Sequence, residues 1–211
     1  MTYERDREVL THTSVHLSAR FEGVFAPETI ERLLHESYDT IAATSKVATY
    51  LPLLAERFAN ERLRSLARTQ GAVMTDTPEI LVVCTHNAGR SVAARVLLDY
   101  YGAGRITVRS AGSAPGEEVN PAVVEILTER GLDVSKEFPK PLTDEAARSA
   151  DVIITMGCGD ACPVFAGKRY LDWDLSDPAG KPVEEVRPIV DEIDRRARDL
   201  LAEILATPDD D

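Results

Sequence analysis

Residues 79–91, EILVVCTHNAGRS, constrain this chain more than any other stretch. Ile80, Leu81, Val82 and Val83 make a short continuous apolar run, which predicts a parallel strand buried on both faces. The run delivers Cys84 to a loop containing Gly89. Arg90 and Ser91 then open a helix over 90–101, with Val92, Ala93, Val96, Leu97 and Tyr100 on one side. Strand, loop and helix in that order belong to an open α/β sheet, whose ligands bind in the crevice at the carboxyl ends of the strands.

The alternation continues to the end of the chain. A strand over 106–108 (ITV) leads into SAGSAPG, read as a loop. The next helix opens with Asn120 as N-cap and Pro121 in first position, and it ends before Gly131. A short helix over 143–149 precedes a strand over 151–156, and a strand over 168–173 enters the loop DLSDPAGKP. The last helix carries Val186, Ile189, Val190, Ile193, Ala197 and Leu200 as an amphipathic stripe. Pro188 is expected in its first turn, where no intrahelical donor is lost. The expected α/β sheet is open, largely parallel and covered on both faces.

Residues 1–75 read as helical throughout. Ile30, Leu33, Leu34, Tyr38 and Ile41 recur near the 3.6-residue period after Pro27, and Leu51, Leu54, Phe58, Leu63 and Leu66 follow. A less regular helix is read around 6–20. The expected organisation is an N-terminal three-helix bundle over 1–75, a linker at TDTP (75–78) and an α/β domain over 76–211.

Charge and cysteine usage narrow the function. The net charge is −12, of which residues 1–75 contribute only −1. An acidic surface repels nucleic acid and anionic membranes, so neither is an expected partner. A small anion is admitted wherever a local feature overrides that field. No run approaches the length of a transmembrane helix and MTYERDREVL is too polar for a signal peptide, so a cytoplasmic location is expected. The three cysteines, Cys84, Cys158 and Cys162, are an odd number, which points to thiol chemistry or metal binding rather than a disulfide scaffold.

The Cys84 loop suits an oxyanion. Backbone N–H groups over Thr85, His86, Asn87, Ala88, Gly89 and Arg90 can form a nest, and the helix start adds partial positive charge. Arg90 can hold two oxygens through its fork of donors, as lysine could not. The same field favours the thiolate, which is the nucleophilic form of a cysteine, and Ser91 can donate to the sulfur. Asn87 and Gly89 suit positions of positive φ. The plainer alternative is a buried structural cysteine.

CTHNAGRS resembles the CxxNxxRS active-site loop of low-molecular-weight tyrosine phosphatases and of the arsenate reductases built on the same fold. The resemblance covers about residues 79–205, and VRSAGSAPGEEVNPAVVEILTERGLDVS and LSDPAG match further family segments in order. It implies a four-stranded parallel sheet flanked by helices, with Cys84 as nucleophile, Arg90 as oxyanion clamp and Asp177 of the Asp-Pro motif as general acid. An Asp-Pro in a loop is otherwise a turn. Asp172 and Asp174 are read as surface residues.

Two features separate the two chemistries. Tyrosine phosphatases of this kind carry aromatic residues after the Asp-Pro, whereas Pro178 is followed by Ala179 and Gly180. Cys158 and Cys162 are four residues apart just after the strand over 151–156; on one helical turn their Cα atoms would lie about 6 Å apart, within disulfide reach. The expected function is therefore reduction of arsenate to arsenite. Cys84 attacks arsenic, Cys158 attacks Cys84, Cys162 attacks Cys158, and thioredoxin recycles the last disulfide. The family's three-cysteine cascades usually space the last two cysteines further apart.

No bound cofactor or metal is expected. A zinc site from Cys84, His86, Cys158 and Cys162 would put a cation beside Arg90. Arg95 stands where some relatives place an acidic residue near a potassium ion, which argues against that ion. His86 is otherwise an exposed loop residue, and His12, His16 and His35 are surface or core residues. A phosphatase of the same fold, a redox or arsenic-sensing adaptor, and a glutaredoxin-like reductant stay open. For residues 1–75 the readings are a packing or dimerisation module giving a homodimer, or a DNA-binding regulator.

Overall fold

A computed structural model describes residues 2–44, 50–73, 77–157 and 164–206. The chain divides into two compact units, but the division is not a single cut. One unit comprises Met1–Thr75 with Thr143–Ser149, and the other Asp76–Leu142 with Ala150–Asp211.

The first unit contains α1 (Thr2–Arg20), α2 (Pro27–Thr44), α3 (Leu51–Thr69) and the short α6 (Asp144–Ser149). The periodic positions of the sequence are its core: Leu17, Ile30, Leu33, Leu34, Ile41 and Leu63 are all fully buried. Tyr38 brings its hydroxyl to Asp6 Oδ2 at 2.6 Å, so the one polar atom of that buried ring is satisfied. Helix α6 packs against α3. There Arg62 donates to Glu145 at 2.9 Å and to Glu36 at 3.2 Å. Burial pushes the Glu145 carboxyl up, but its own backbone N–H and Arg62 outweigh that and hold it below the ordinary carboxylate range.

The second unit is a four-stranded, all-parallel sheet in the order β2-β1-β3-β4, formed by β1 (Glu79–Cys84), β2 (Thr107–Gly112), β3 (Val152–Met156) and β4 (Arg169–Asp172). Helices α4 (Arg90–Gly102), α5 (Pro121–Glu129) and α7 (Val183–Ile204) accompany it. Every residue of β1 is buried, as a continuous apolar run between two neighbours demands. The register pairs Cys84 with Gly112 on one side and Met156 on the other. The strand order reverses direction at β1, so the carboxyl ends of β1 and β3 open the crevice in which such sheets bind ligands. At the other end, Glu79 pairs with Arg109 at 2.6 Å, both buried, and Glu79 N–H donates to Asp151 Oδ2 at 2.8 Å.

Two expectations are corrected here. Strand β2 runs on through Ser110, Ala111 and Gly112, which read as loop. These residues have weak strand preference, but they pair with Val82, Val83 and Cys84 of β1, and tertiary pairing overrides propensity. Gly112 has a further reason to be glycine: a Cβ there would lie 2.8 Å from Thr85 O and 2.9 Å from Asn87 N. In α7, Pro188 is the sixth residue, not a first-turn residue, because the helix starts at Val183 behind the extended N-cap Pro182. Pro188 and Glu184 are both exposed, so solvent can serve the Glu184 carbonyl that loses its donor.

Candidate active site

Strand β1 ends at Cys84, and the chain curls through residues 85–89 before α4 begins. Four carbonyls of this loop are committed on its outer side to residues 113–120. Cys84 O accepts from Ser113 N at 3.1 Å, Thr85 O from Ala114 N at 2.8 Å, His86 O from Gly116 N at 2.8 Å and Ala88 O from Asn120 N at 2.8 Å. Asn87 takes the positive φ expected of it, 46°, whereas Gly89, expected to do the same, has φ −127°. The Asn87 N–H donates to Cys84 Sγ at 3.2 Å. Gly89 is the N-cap of α4 and has no side chain to cap it, so the first-turn N–H groups are left for an anion.

The Asn87 side chain orients the sulfur's second partner. Lys140 N–H can only donate, so the Asn87 atom 3.0 Å from it is the carbonyl Oδ1. Nδ2 therefore faces Ser91 Oγ, to which it donates at 2.9 Å. With that lone pair used, the Ser91 hydroxyl proton is available to Cys84 Sγ, 3.0 Å away. Asn87 and Ser91 are fully buried and Cys84 nearly so. The sequence marked Asn87 for its backbone angle; this side-chain relay, with a partner 53 residues on, left no local signal.

Arg90 is buried, 7% exposed. Its Nη1 donates to Leu175 O at 3.2 Å, and its Nη2 stands 3.4 Å from Asp177 Oδ2. Gly157, at the end of β3, makes room for it: a Cβ there would lie 2.8 Å from Nη1, and φ is +71°. Gly157 O accepts from Thr85 Oγ1 at 3.2 Å, so the Thr85 hydroxyl ties the loop to the exit of β3.

An open pocket joins these groups. Cys84, His86, Ala88, Gly89 and Arg90 line one side, and Asn120, Asp177, Pro178 and Ala179 the other. The structure thus brings Cys84, Ser91, Arg90 and Asp177 together as the sequence anticipated. The pocket holds a thiol with two hydrogen-bonding partners, one guanidinium, an uncapped helix start and a carboxyl opposite. It can bind a small tetrahedral oxyanion, attack it through sulfur and supply a proton to a departing oxygen. The rim after Asp177 is Pro178 and Ala179, with no aromatic ring. Asp172 accepts from Thr155 Oγ1 at 2.7 Å, and Asp174 is exposed. Arg95 forms an ion pair with the buried Glu137. Cys158 and Cys162, named from the sequence as relay thiols, lie outside the described residues. Asn120, seen in the sequence only as a helix cap, went unremarked as a pocket residue, and Gly89, expected in the oxyanion loop, was not read as a contact of Pro178. A Cβ on Gly89 would lie 2.5 Å from Pro178 Cγ.

Known proteins resemble this chain in sequence and fold. A thioredoxin-dependent arsenate reductase from Corynebacterium glutamicum is 46% identical, with a TM-score of 0.84, over 94% of this chain and 97% of that one. A glutaredoxin arsenate reductase from Synechocystis is 31% identical over 60% of this chain and 98% of its own length. An arginine phosphatase from Geobacillus stearothermophilus is 28% identical with a TM-score of 0.51, over 61% of this chain and 96% of that one. The chain is thus a homologue of arsenate reductases. Residues 10–67 match the family described as protein-tyrosine-phosphatase-like, N-terminal domain. Residues 79–208 match the low molecular weight phosphotyrosine protein phosphatase family, and the chain belongs to that family, with an N-terminal extension of three helices.

Proposed function

We propose that this chain reduces arsenate to arsenite and is recycled by thioredoxin. The observation that carries the reading is the 46% identity to a thioredoxin-dependent arsenate reductase over 94% of this chain. The aromatic-free rim and the narrow cradle support it, because arsenate brings no ring to stack.

In the proposed mechanism arsenate enters the loop between the α4 N-terminus and Arg90. The Cys84 thiolate attacks arsenic, forming an S–As bond as an As–O bond breaks, and Asp177 gives the departing oxygen its proton so that it leaves as water. Cys158 then attacks Cys84 sulfur. The S–S bond forms, the S–As bond breaks, and its electron pair stays on arsenic, which departs as arsenite. Cys162 attacks Cys158 and frees Cys84. The dithiol of thioredoxin reduces the Cys158–Cys162 disulfide and is itself oxidised. No bound cofactor is required, since thiols carry both electrons. A thioredoxin-recycled thiol relay fits a reducing, cytoplasmic setting, and among the described residues no helix is long and apolar enough to cross a membrane. We read the first unit as a separate packing or dimerisation domain, checked by the solution mass of the full chain.

Arsenite production with thioredoxin, thioredoxin reductase and NADPH tests the reading. The parent protein should turn over many times. Cys158→Ser should complete one slow reaction and stop, and sustained turnover in that variant would falsify the relay. The second reading is a phosphatase, favoured by the likeness to an arginine phosphatase and by a cradle that treats phosphate and arsenate alike. Phosphoester hydrolysis without arsenite production would replace the first reading with this one.

A further inference from the structure

Asp177 sits on a loop whose own ties are few. Its Oδ1 accepts from Ala179 N at 3.1 Å, which closes a turn within the loop but does not anchor it. Arg90 donates through Nη1 to Leu175 O at 3.2 Å and stands 3.4 Å from Oδ2 through Nη2, yet an incoming oxyanion would claim that guanidinium. Something else must hold the loop at the distance that proton transfer needs.

Asn120 meets the requirement through its backbone N–H and its side chain. Its backbone N–H donates to Ala88 O of the Cys84 loop at 2.8 Å. Its Oδ1 accepts from Ala122 N at 2.9 Å and Val123 N at 3.3 Å, capping α5. Those two partners are obligate donors, so the remaining atom is the amide nitrogen. Nδ2 donates to Pro178 O at 3.1 Å, one residue beyond Asp177. A single residue thus binds the loop of the nucleophile through its backbone and the loop of the acid through its side chain. The end of α5 fixes the rotamer between them. Next to this bridge Pro178 rests on Gly89, where no Cβ intervenes.

We propose that Asn120 is a positioning residue for the Asp177 acid, acting on proton delivery rather than on oxyanion binding; this rests on the reading of Asp177 as the acid of arsenate reduction. Serine is the informative replacement. It keeps a helix-capping oxygen and adds no charge, but has no amide to reach Pro178 O. Asn120→Ser should lower kcat for arsenate about tenfold with KM nearly unchanged, since general acids contribute about 10²–10⁴-fold when correctly placed.

The test is a double-mutant cycle on kcat with Asp177→Asn, in the full chain with the thioredoxin system. If Asn120 works through Asp177, adding Asn120→Ser to Asp177→Asn costs less than about twofold more. A merely structural cap would cost the same in both backgrounds, and that additive result overturns the inference while leaving Asp177 as the acid. A parental kcat for Asn120→Ser, or a loss confined to KM, overturns it as well. Parental turnover by Asp177→Asn removes the acid itself, and the inference falls with it. Should Asn120→Ser fail to fold, Asn120→Asp keeps a cap acceptor for both the Ala122 and Val123 N–H groups, lacks the donor to Pro178 O, and carries the same cycle.

Discussion

Cys84 is 2% exposed at the end of a fully buried strand, and the carbonyls of its loop are paired one after another with residues 113–120. Across the pocket, the Asp177 side chain is 46% exposed, and its loop is held by the Asn120 amide, a hydrogen bond from Arg90 Nη1 to Leu175 O, one close proline–glycine contact and a guanidinium nitrogen 3.4 Å from the carboxylate. The nucleophile's wall is therefore part of the folding core, and to disturb it is to disturb the sheet. The acid's wall is an attachment. Its geometry can be lost while the core stays intact, so activity and stability should separate on that side and move together on the other.

The largest expected effect comes from the nucleophile. Cys84→Ser should cost on the order of 10³-fold or more in arsenite production; turnover near the parent's would move the chemistry elsewhere. Asp177→Asn should cost about 10²- to 10⁴-fold in kcat. On the fixed wall, Asn87→Ala strands the Lys140 N–H and removes a Ser91 partner, and should lower unfolding free energy by about 1–3 kcal/mol in urea titrations. Gly89→Ala must displace Pro178 and should lower kcat about tenfold through the acid loop. The smallest expected effect sharpens the comparison most. Asp177→Asn should leave unfolding free energy within about 0.5 kcal/mol of the parent, as exposed substitutions do. A drop matching that of Asn87→Ala would erase the distinction between the two walls.

The two walls were also unequally legible in the sequence. The nucleophile's side is local: an apolar run, a positive-φ asparagine, an arginine and a serine lie within thirteen residues, each marked by a rule that acts at short range. The acid's side depends on partners far apart. Asn120 and Pro178 are 58 residues from each other, and neither has a periodicity that announces the other. The same limit hid the extension of β2, where Ser110 and Gly112 follow the register of β1 rather than their own preference. Pro188 misled in the opposite sense, because a rule about first turns was applied to an exposed position where solvent relaxes it.

Helix α6 illustrates the limit at the scale of the whole chain. A six-residue segment has too few turns to say which core it serves, and it belongs with the three N-terminal helices although it follows them by more than seventy residues. That membership bears on how the protein can be handled. Trimming at residue 75 would not yield a clean module: the fragment kept would retain Ala147, which is fully buried here, and a Glu145 stripped of its arginine. The polypeptide is threaded so that its leading third is completed by a stitch from its later half, and domain surgery on it should follow that stitch rather than the linker.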